Sequence, residues 1–438
     1  MTNLNAHMNH PLRLALASEI HSRPFMVFDA PARISHLAIH YEERERSHHV
    51  LLDALCTRFG VAVPHADAQH FFHDFGHFRI KWEKHAEFST YTFVEPVVAD
   101  NTENDQPDFV LTAMRHVPAD WLALLDSAVI VASHIATART SLDRVDDHSF
   151  RTIFPSLPMV GSKVLSDGEI WSDFLIGPDG FSRYLIRDVG LQESQMGRLV
   201  QRICEIETYL MMALLALPHA RQGTALLARV EEDLTALGVR MSTLEIDGDA
   251  ESLLQEISRL DAQIRSMSFK SGYRFSAAQA YYRIVGARIG ELRERRIEGI
   301  PTIGEFMERR LAPAMDTCIS VAARQEAIAM KISRANDMLH THVNLAQERQ
   351  SQRVLHSLSR SARLQLQMQQ AVEGLSVVAI SYYGLGLAGY GLKALKGWGL
   401  AVPVDQTIGL LLPLVCGAVW MGIRRLHHRL KNQDAVES

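Results

Sequence analysis

The chain has 438 residues, with 45 Lys and Arg against 50 Asp and Glu and a formal net charge of -5. That length exceeds one ordinary domain, and so even a charge balance gives no basis for a nucleic-acid partner or an acidic tail. Four scattered cysteines, Cys56, Cys204, Cys318 and Cys416, form no C-x-x-C pair, which fits reduced thiols in a cytoplasmic compartment and excludes a disulfide framework.

Residues 1–10 are polar, and no basic segment leads into an apolar one, so they read as a flexible start without a cleavable signal. From 11 to 188 the pattern is mixed. Helical stretches at Pro11 to Ile20 and His49 to Phe59 break up strand signals. Phe78, Ile80 and Trp82 alternate with Arg79 and Lys81, and Tyr91 and Phe93 alternate with Thr90 and Thr92, which predicts a hairpin with one buried face. Asp126 to Ile135 is a β-branched run suited to an inner strand. Gly177-Pro178-Asp179-Gly180 has the composition of a turn and is expected to join Asp173–Ile176 to Phe181–Ile186. Together these give an α+β cytoplasmic domain.

Residues 190–371 read as a helical stalk or bundle. Leu199, Ile203, Ile206, Leu210, Ala213 and Leu217 keep a 3,4 spacing until Pro218, which is expected to end the first helix. A second helix covers Gly223 to Met267 with a break near Gly238 to Asp249, a third is expected after Ser276 as N-cap, and a fourth begins near Thr302. With Pro313 the last breaker, Ala314 to Leu392 reads as one helix. Its seam of Ile328, Ile332, Ala335, Leu339, Val343 and Ala346 fits antiparallel packing on the preceding helices or a parallel bundle of copies.

Two uncharged runs follow, within 372–392 and 407–423, joined by an outer loop at 393–406 and trailed by a basic tail at 424–438. The first spans roughly 28 Å as a helix and the second lies at the lower limit for crossing a bilayer. Arg353, Arg360 and Arg363 precede the first run, Arg424, Arg425, Arg429 and Lys431 follow the second, and the loop holds only Lys393 and Lys396. The predicted architecture is therefore an α+β domain, long α-helices and a C-terminal two-helix transmembrane hairpin with both termini cytoplasmic.

Small residues of the first run, Gly374, Ser381, Gly384, Ala388 and Gly391, recur at helical spacing and read either as a close-packing face or as a pore lining, with Glu373 at the inner mouth as a candidate carboxylate ring. The literal Gly384-x-Gly386-x-x-Gly389 opens no βαβ unit and is not a nucleotide motif. Walker A, H-E-x-x-H and G-x-S-x-G elements do not occur, and no cofactor is implied. His70, His73 and His77, if helical, share a face that could hold Zn²⁺ or Ni²⁺; their aromatic neighbours favour a packed turn instead. Glu83, His85 and Glu87 are candidates for a catalytic group if they converge in a cleft, or for cross-strand charge pairing if they do not.

Glu19 to Phe25, Lys81 to Phe93, Gly197 to Pro218, Tyr273 to Ser276, Arg309 to Cys318 and Gln369 to Leu385 resemble a family of bacterial membrane-anchored proteins catalogued as a domain of unknown function. The order of parts is also similar to that of CorA-type magnesium channels, although Gly389-Tyr390-Gly391-Leu392 stands where those channels carry Gly-Met-Asn. These resemblances imply a protein of the bacterial cytoplasmic membrane that is homo-oligomeric. They make it an oligomeric divalent-cation channel with passage along the first span, or alternatively a non-transporting membrane-anchored scaffold or regulator. The expected partners are the lipid bilayer, further copies and, for the channel, divalent cations.

Overall fold

The computed structural model describes residues 10, 12–13, 16–17, 25–41, 48–97, 109–125, 127–139, 153–154, 159–165, 167–243, 250–397 and 403–434. Most of the expected helix at 11–20, residue Asp126 and the segment Glu19 to Pro24 lie outside them. Two compact units divide the chain: residues up to 242 with 255–336, and 243–254 with residues from 337 on.

The first unit is built on one nine-stranded sheet, in the order β2-β3-β4-β1-β5-β8-β7-β6-β9. Its strands are β1 (Ala32–His40), β2 (His70–Asp74), β3 (Arg79–Lys84), β4 (Phe88–Pro96), β5 (Val129–Arg139), β6 (Val160–Val164), β7 (Gly168–Ser172), β8 (Ser182–Asp188) and the two-residue β9 (Arg295–Arg296). Every pair is antiparallel except β5 with β8. On one face Leu37, Ile39, Ile80, Trp82, Tyr91 and Phe93 pack under helix α1 (His48–Phe59), through its Leu52, Leu55 and Cys56, and under Trp121 and Leu125.

The β3–β4 hairpin forms, but not with one buried face as its alternation predicts. Lys81, Glu83, Thr90 and Thr92 are buried as well, because helix α2 (Glu193–Leu214) covers that side and meets them with polar groups of its own. The Gly177–Gly180 turn also forms: the Gly180 N–H donates to Gly177 O at 2.9 Å and the Gly177 N–H to Phe181 O at 2.8 Å. It joins β7 to β8, and 173–176 runs outside the ladder rather than as the expected strand.

Helix α2 stops at Leu214, and α3 (Ala216–Ser242) begins before Pro218. The proline thus sits in the first turn of the second helix, where its missing N–H has no intrahelical partner to lose. Helix α4 runs unbroken over Ala250–Leu292, so Ser276 is mid-helix and not the expected N-cap; Gly272 is the only weak former nearby and a single glycine does not end a helix. Helix α5 spans Ile303–Gly397 and passes through Pro313. Thr302 caps it: the Glu305 N–H donates to Thr302 Oγ1 and the Thr302 N–H to Glu305 Oε2, each at 3.1 Å, a reciprocal capping box. Within the first unit α3, α4 and α5 pack together through Gly223, Met267 and Val321. Arg240–Glu256 (2.7 Å) with Arg259–Asp233 (3.5 Å) runs α4 antiparallel to α3, and Ser271–Gln325 (3.5 Å) with Gly304, where an added Cβ would meet Ile289 at 3.3 Å, runs it antiparallel to α5. Up to residue 336 the α5 seam is thereby used for packing inside one chain.

In the second unit α5 continues to Gly397 and is followed by α6 (Val404–Asp434). Among the described residues three helical stretches are long and apolar enough to cross a membrane by length and composition: Glu193–Ser242, Ile303–Ala394 and Asp405–Gly422. Half of the first apolar window is buried inside the protein, against 6% and 0% for the other two. The first is therefore a core helix pair, whereas the other two expose their apolar surface.

Candidate functional site: a buried polar row beneath helix α2

The register of the sheet aligns Lys81 with Thr92, Thr92 with His36, His36 with Ser133, and Ser133 with Ser182. These residues form a polar row across β3, β4, β1, β5 and β8, all of it buried. Burying such groups costs free energy unless each finds a partner, and α2 supplies several. His36 Nδ1 bonds Thr92 Oγ1 at 2.9 Å and its Nε2 bonds Thr208 Oγ1 at 3.2 Å. Lys81 Nζ donates to Gln201 Oε1 at 3.3 Å and pairs with Glu83 at 3.0 Å. The Ser182 hydroxyl donates to Glu207.

The network continues outward. Gln201 Nε2 donates to Glu205 Oε1 at 2.8 Å, Arg288 of α4 pairs with Glu205, and Glu291 bridges Arg288 (2.7 Å) and Arg202 (2.9 Å). Lys81 and Glu83 are only 6% and 9% exposed, so each is tolerable because the other is there. Between sheet and helix a cavity of about 40 Å³ remains, lined among others by His36, Lys81, Glu83, His85, Gln201 and Thr208, room for one or two waters.

Electrostatics define what this row can do. Burial, reinforced by the charge of Lys81, holds the His36 imidazole down to about 3. It is neutral at neutral pH, with both nitrogens occupied by hydroxyls, so it is not placed to act as a general base. Burial pushes the Cys204 thiol well above its ordinary value, which makes it a packing group rather than a nucleophile. Burial also raises the Glu207 carboxyl to about 7, against the opposing hydrogen bond from Ser182. The row is a fixed hydrogen-bonding core with one ion pair.

The residues singled out from sequence separate into three groups. His70 and His73 lie in strand β2, not on a helix face. An odd spacing in a strand sends them to opposite sides, His73 against Phe75 at 4.4 Å and His77 against Phe78 at 5.0 Å. Among the described residues no group of three His, Cys, Asp or Glu could hold a metal ion, and these histidines do not share the helix face that the Zn²⁺ or Ni²⁺ reading required. Glu83 and His85 do converge on the small cavity. Glu87 departs to Arg274 at 3.0 Å and the Tyr281 hydroxyl at 2.7 Å. In the first apolar run Ser381 and Gly389 are buried; a Cβ on Gly384 would meet Val415 at 3.5 Å and one on Gly389 would meet Ile408 at 3.2 Å. Gly374 and Gly391 have nothing within 4 Å of an added Cβ. The face that packs on α6 is thus Ser381, Gly384, Ala388 and Gly389, with Gly389 in place of the expected Gly391.

A family model described as "Protein of unknown function (DUF3422)" matches residues 8–430. The chain belongs to that family. No curated protein and no solved structure matches, so the likeness to CorA-type channels rests on the order of parts alone. Within this member of the family the row draws on two of the segments that carried the family resemblance: Lys81 to Phe93 supplies Lys81, Glu83 and Thr92, and Gly197 to Pro218 supplies Gln201, Glu205, Glu207 and Thr208. His36, Ser133 and Ser182 lie outside those segments and carry no motif. One signal pointed here: Gln201, Glu205 and Thr208 stand four and three apart along α2, a polar stripe beside its apolar 3,4 row that needs a polar partner.

Proposed function

We propose that the chain is an integral protein of the bacterial cytoplasmic membrane, held by the hairpin of α5 and α6 and acting as a non-transporting membrane-anchored scaffold or regulator. One observation carries the membrane part of this reading. The ends of α5 and α6 present Leu375, Val378, Ile380, Leu387, Leu410 and Leu414 at more than half exposure. Each such side chain left in water forgoes about 1.5–3 kcal/mol of burial, and a bilayer removes that penalty. The Arg residues flanking both runs, with two lysines in the loop, orient both termini to the cytoplasm. A reporter fused after Ser438 is expected to report a cytoplasmic location, and one within 398–404 an external location. A C-terminal fusion that reports outside reverses the orientation.

Cation passage is the second reading. The small residues turned toward α6 are used by packing within one chain, but Gly374, Gly386 and Gly391 face open space, where further copies would have to meet to form a path. Homo-oligomeric protein in liposomes, tested with Mg²⁺, Co²⁺ and monovalent ions, decides: flux that Glu373→Gln weakens without altering assembly favours the channel, and no flux favours the anchor.

A further inference from the structure

A second cavity, of about 350 Å³, lies between the start of β5, the β7–β8 connection, the C-terminal half of α2 and the first turns of α5. Its walls include Val131, Phe174, Leu210, Met211, Phe306 and Leu311. Three lining side chains are polar or charged: Ser182, Glu207 and Arg310. The Ser182 hydroxyl donates to Glu207, and both groups line the cavity wall. Arg310 is exposed, its guanidinium lies over the Phe306 ring at 5.5 Å, and among the described residues no carboxylate pairs with it.

The wall is held by a strained residue. Phe174 has φ +54°, in the left-handed region that bulky residues avoid. Its N–H is held by Ser172 Oγ at 3.0 Å, and the next N–H, of Leu175, by Asp173 Oδ1 at 3.1 Å. The ring is thereby stacked on Phe306 at 4.7 Å and set edge-on to Tyr184 at 5.6 Å. Beyond it Ile176 lines the cavity yet stands 71% exposed. Backbone strain that keeps an aromatic wall in place beside an apolar opening is a feature of ligand clamps.

We infer that this cavity binds a single acyl chain carrying an anionic head, with the chain between α2 and α5 and the head on Arg310. Its walls are mostly apolar and favour an apolar occupant; 150 Å³ admits a benzene-sized ligand, so this one has room for about a dozen carbon atoms. The single unpaired cation on its wall selects a carboxylate or phosphate. The cavity lies wholly within residues 129–311, and its occupancy does not depend on the proposed hairpin.

The test uses the full chain in nanodiscs of zwitterionic phospholipid and a dodecanoate bearing a photoreactive diazirine, with the labelled peptides mapped by mass spectrometry. Label is expected in 206–214 and 306–311. Competition should strengthen roughly fourfold per methylene from octanoate to dodecanoate. Dodecanoate should compete better than dodecylamine or dodecanol, and Arg310→Gln, a change at an exposed position, should weaken it about tenfold. Leu210→Trp, which fills the cavity, should abolish the label. Stronger competition by dodecyl phosphate names a lipid-derived head, and stronger competition by dodecanoate a free fatty acid. Label confined to 375–422, equal competition by the amine, or undiminished label in Leu210→Trp overturns the assignment.

Discussion

Side chains that titrate under α2 and elsewhere in the sheet unit set its acid stability. Burial lowers His36 to about 3, His48 to about 4 and His134 to about 4. A group with a depressed histidine pKa binds its proton more weakly folded than unfolded, so its contribution is complete above about 6.5 and is lost as pH falls toward 4. Glu207, raised to about 7, works the other way: its contribution is complete below the ordinary carboxyl value and is lost as pH rises through 7. His36 alone amounts to about 3 kcal/mol by pH 4.5, and with two further histidines the acid loss outweighs the gain from Glu207. The unfolding temperature of the full chain in detergent should therefore fall between pH 6.5 and 4.5. His36→Leu should flatten that limb and lower the plateau at pH 8, because Thr92 and Thr208 lose their partner. An acid limb of unchanged slope would assign it elsewhere. Gly197 is a steric counterpart: a Cβ there would stand 1.8 Å from the Met26 carbonyl oxygen. Gly197→Ala should destabilise by about 1–3 kcal/mol through forced backbone movement, read as a lower unfolding temperature, whereas Gly238→Ala, with nothing within 4 Å, should not. The polar row was hidden in the sequence because its members come from separate strands and only the register aligns them. Lys81 and Thr92 looked like the solvent side of an amphipathic hairpin, since alternation reports two faces without saying what covers each.

Among the elements, those with a strong local pattern were legible: β3, β4, the Gly177–Gly180 turn, α1 and the long α5. Strands β1, β6 and β7 went unrecognised, since β1 carries Ser35 and His36 inside its apolar run and β6 and β7 are five residues each with a glycine. Ser276 misled because a serine favours a cap only where the helix actually begins, and α4 is already under way there. The packing of α5 on α6 carries a prediction that small-residue spacing alone could not aim. Gly389→Leu should break the hairpin, since its Cβ would already crowd Ile408 at 3.2 Å. Gly391→Leu meets open space and should leave the hairpin intact. Cysteine cross-linking between the two helices reads both. If Gly391→Leu leaves the intrachain cross-link but dissolves an oligomer, that face belongs to further copies, and the channel reading gains its missing contact.

The whole molecule presents two kinds of apolar helix, and composition does not tell them apart. The stretch 193–242 passes the same length and hydropathy test as the ends of α5 and α6, yet half of its apolar window is already covered by the protein. Only the latter pair remains uncovered, and only that pair should demand lipid. Truncation after Arg363 removes both exposed runs and keeps every strand, α2 to α4 and the part of α5 that packs on them. It also cuts within the second unit, where α5 is exposed over 347–372, so little burial is lost. The truncated chain should stay in the supernatant after ultracentrifugation and unfold cooperatively, while the full chain should resist extraction by alkaline carbonate and yield only to detergent. A well-folded truncated chain that still pellets with membranes would mean that 193–242, or a segment outside the described residues, reaches the bilayer after all, and the assignment of that helix pair to the core would then be the one to abandon.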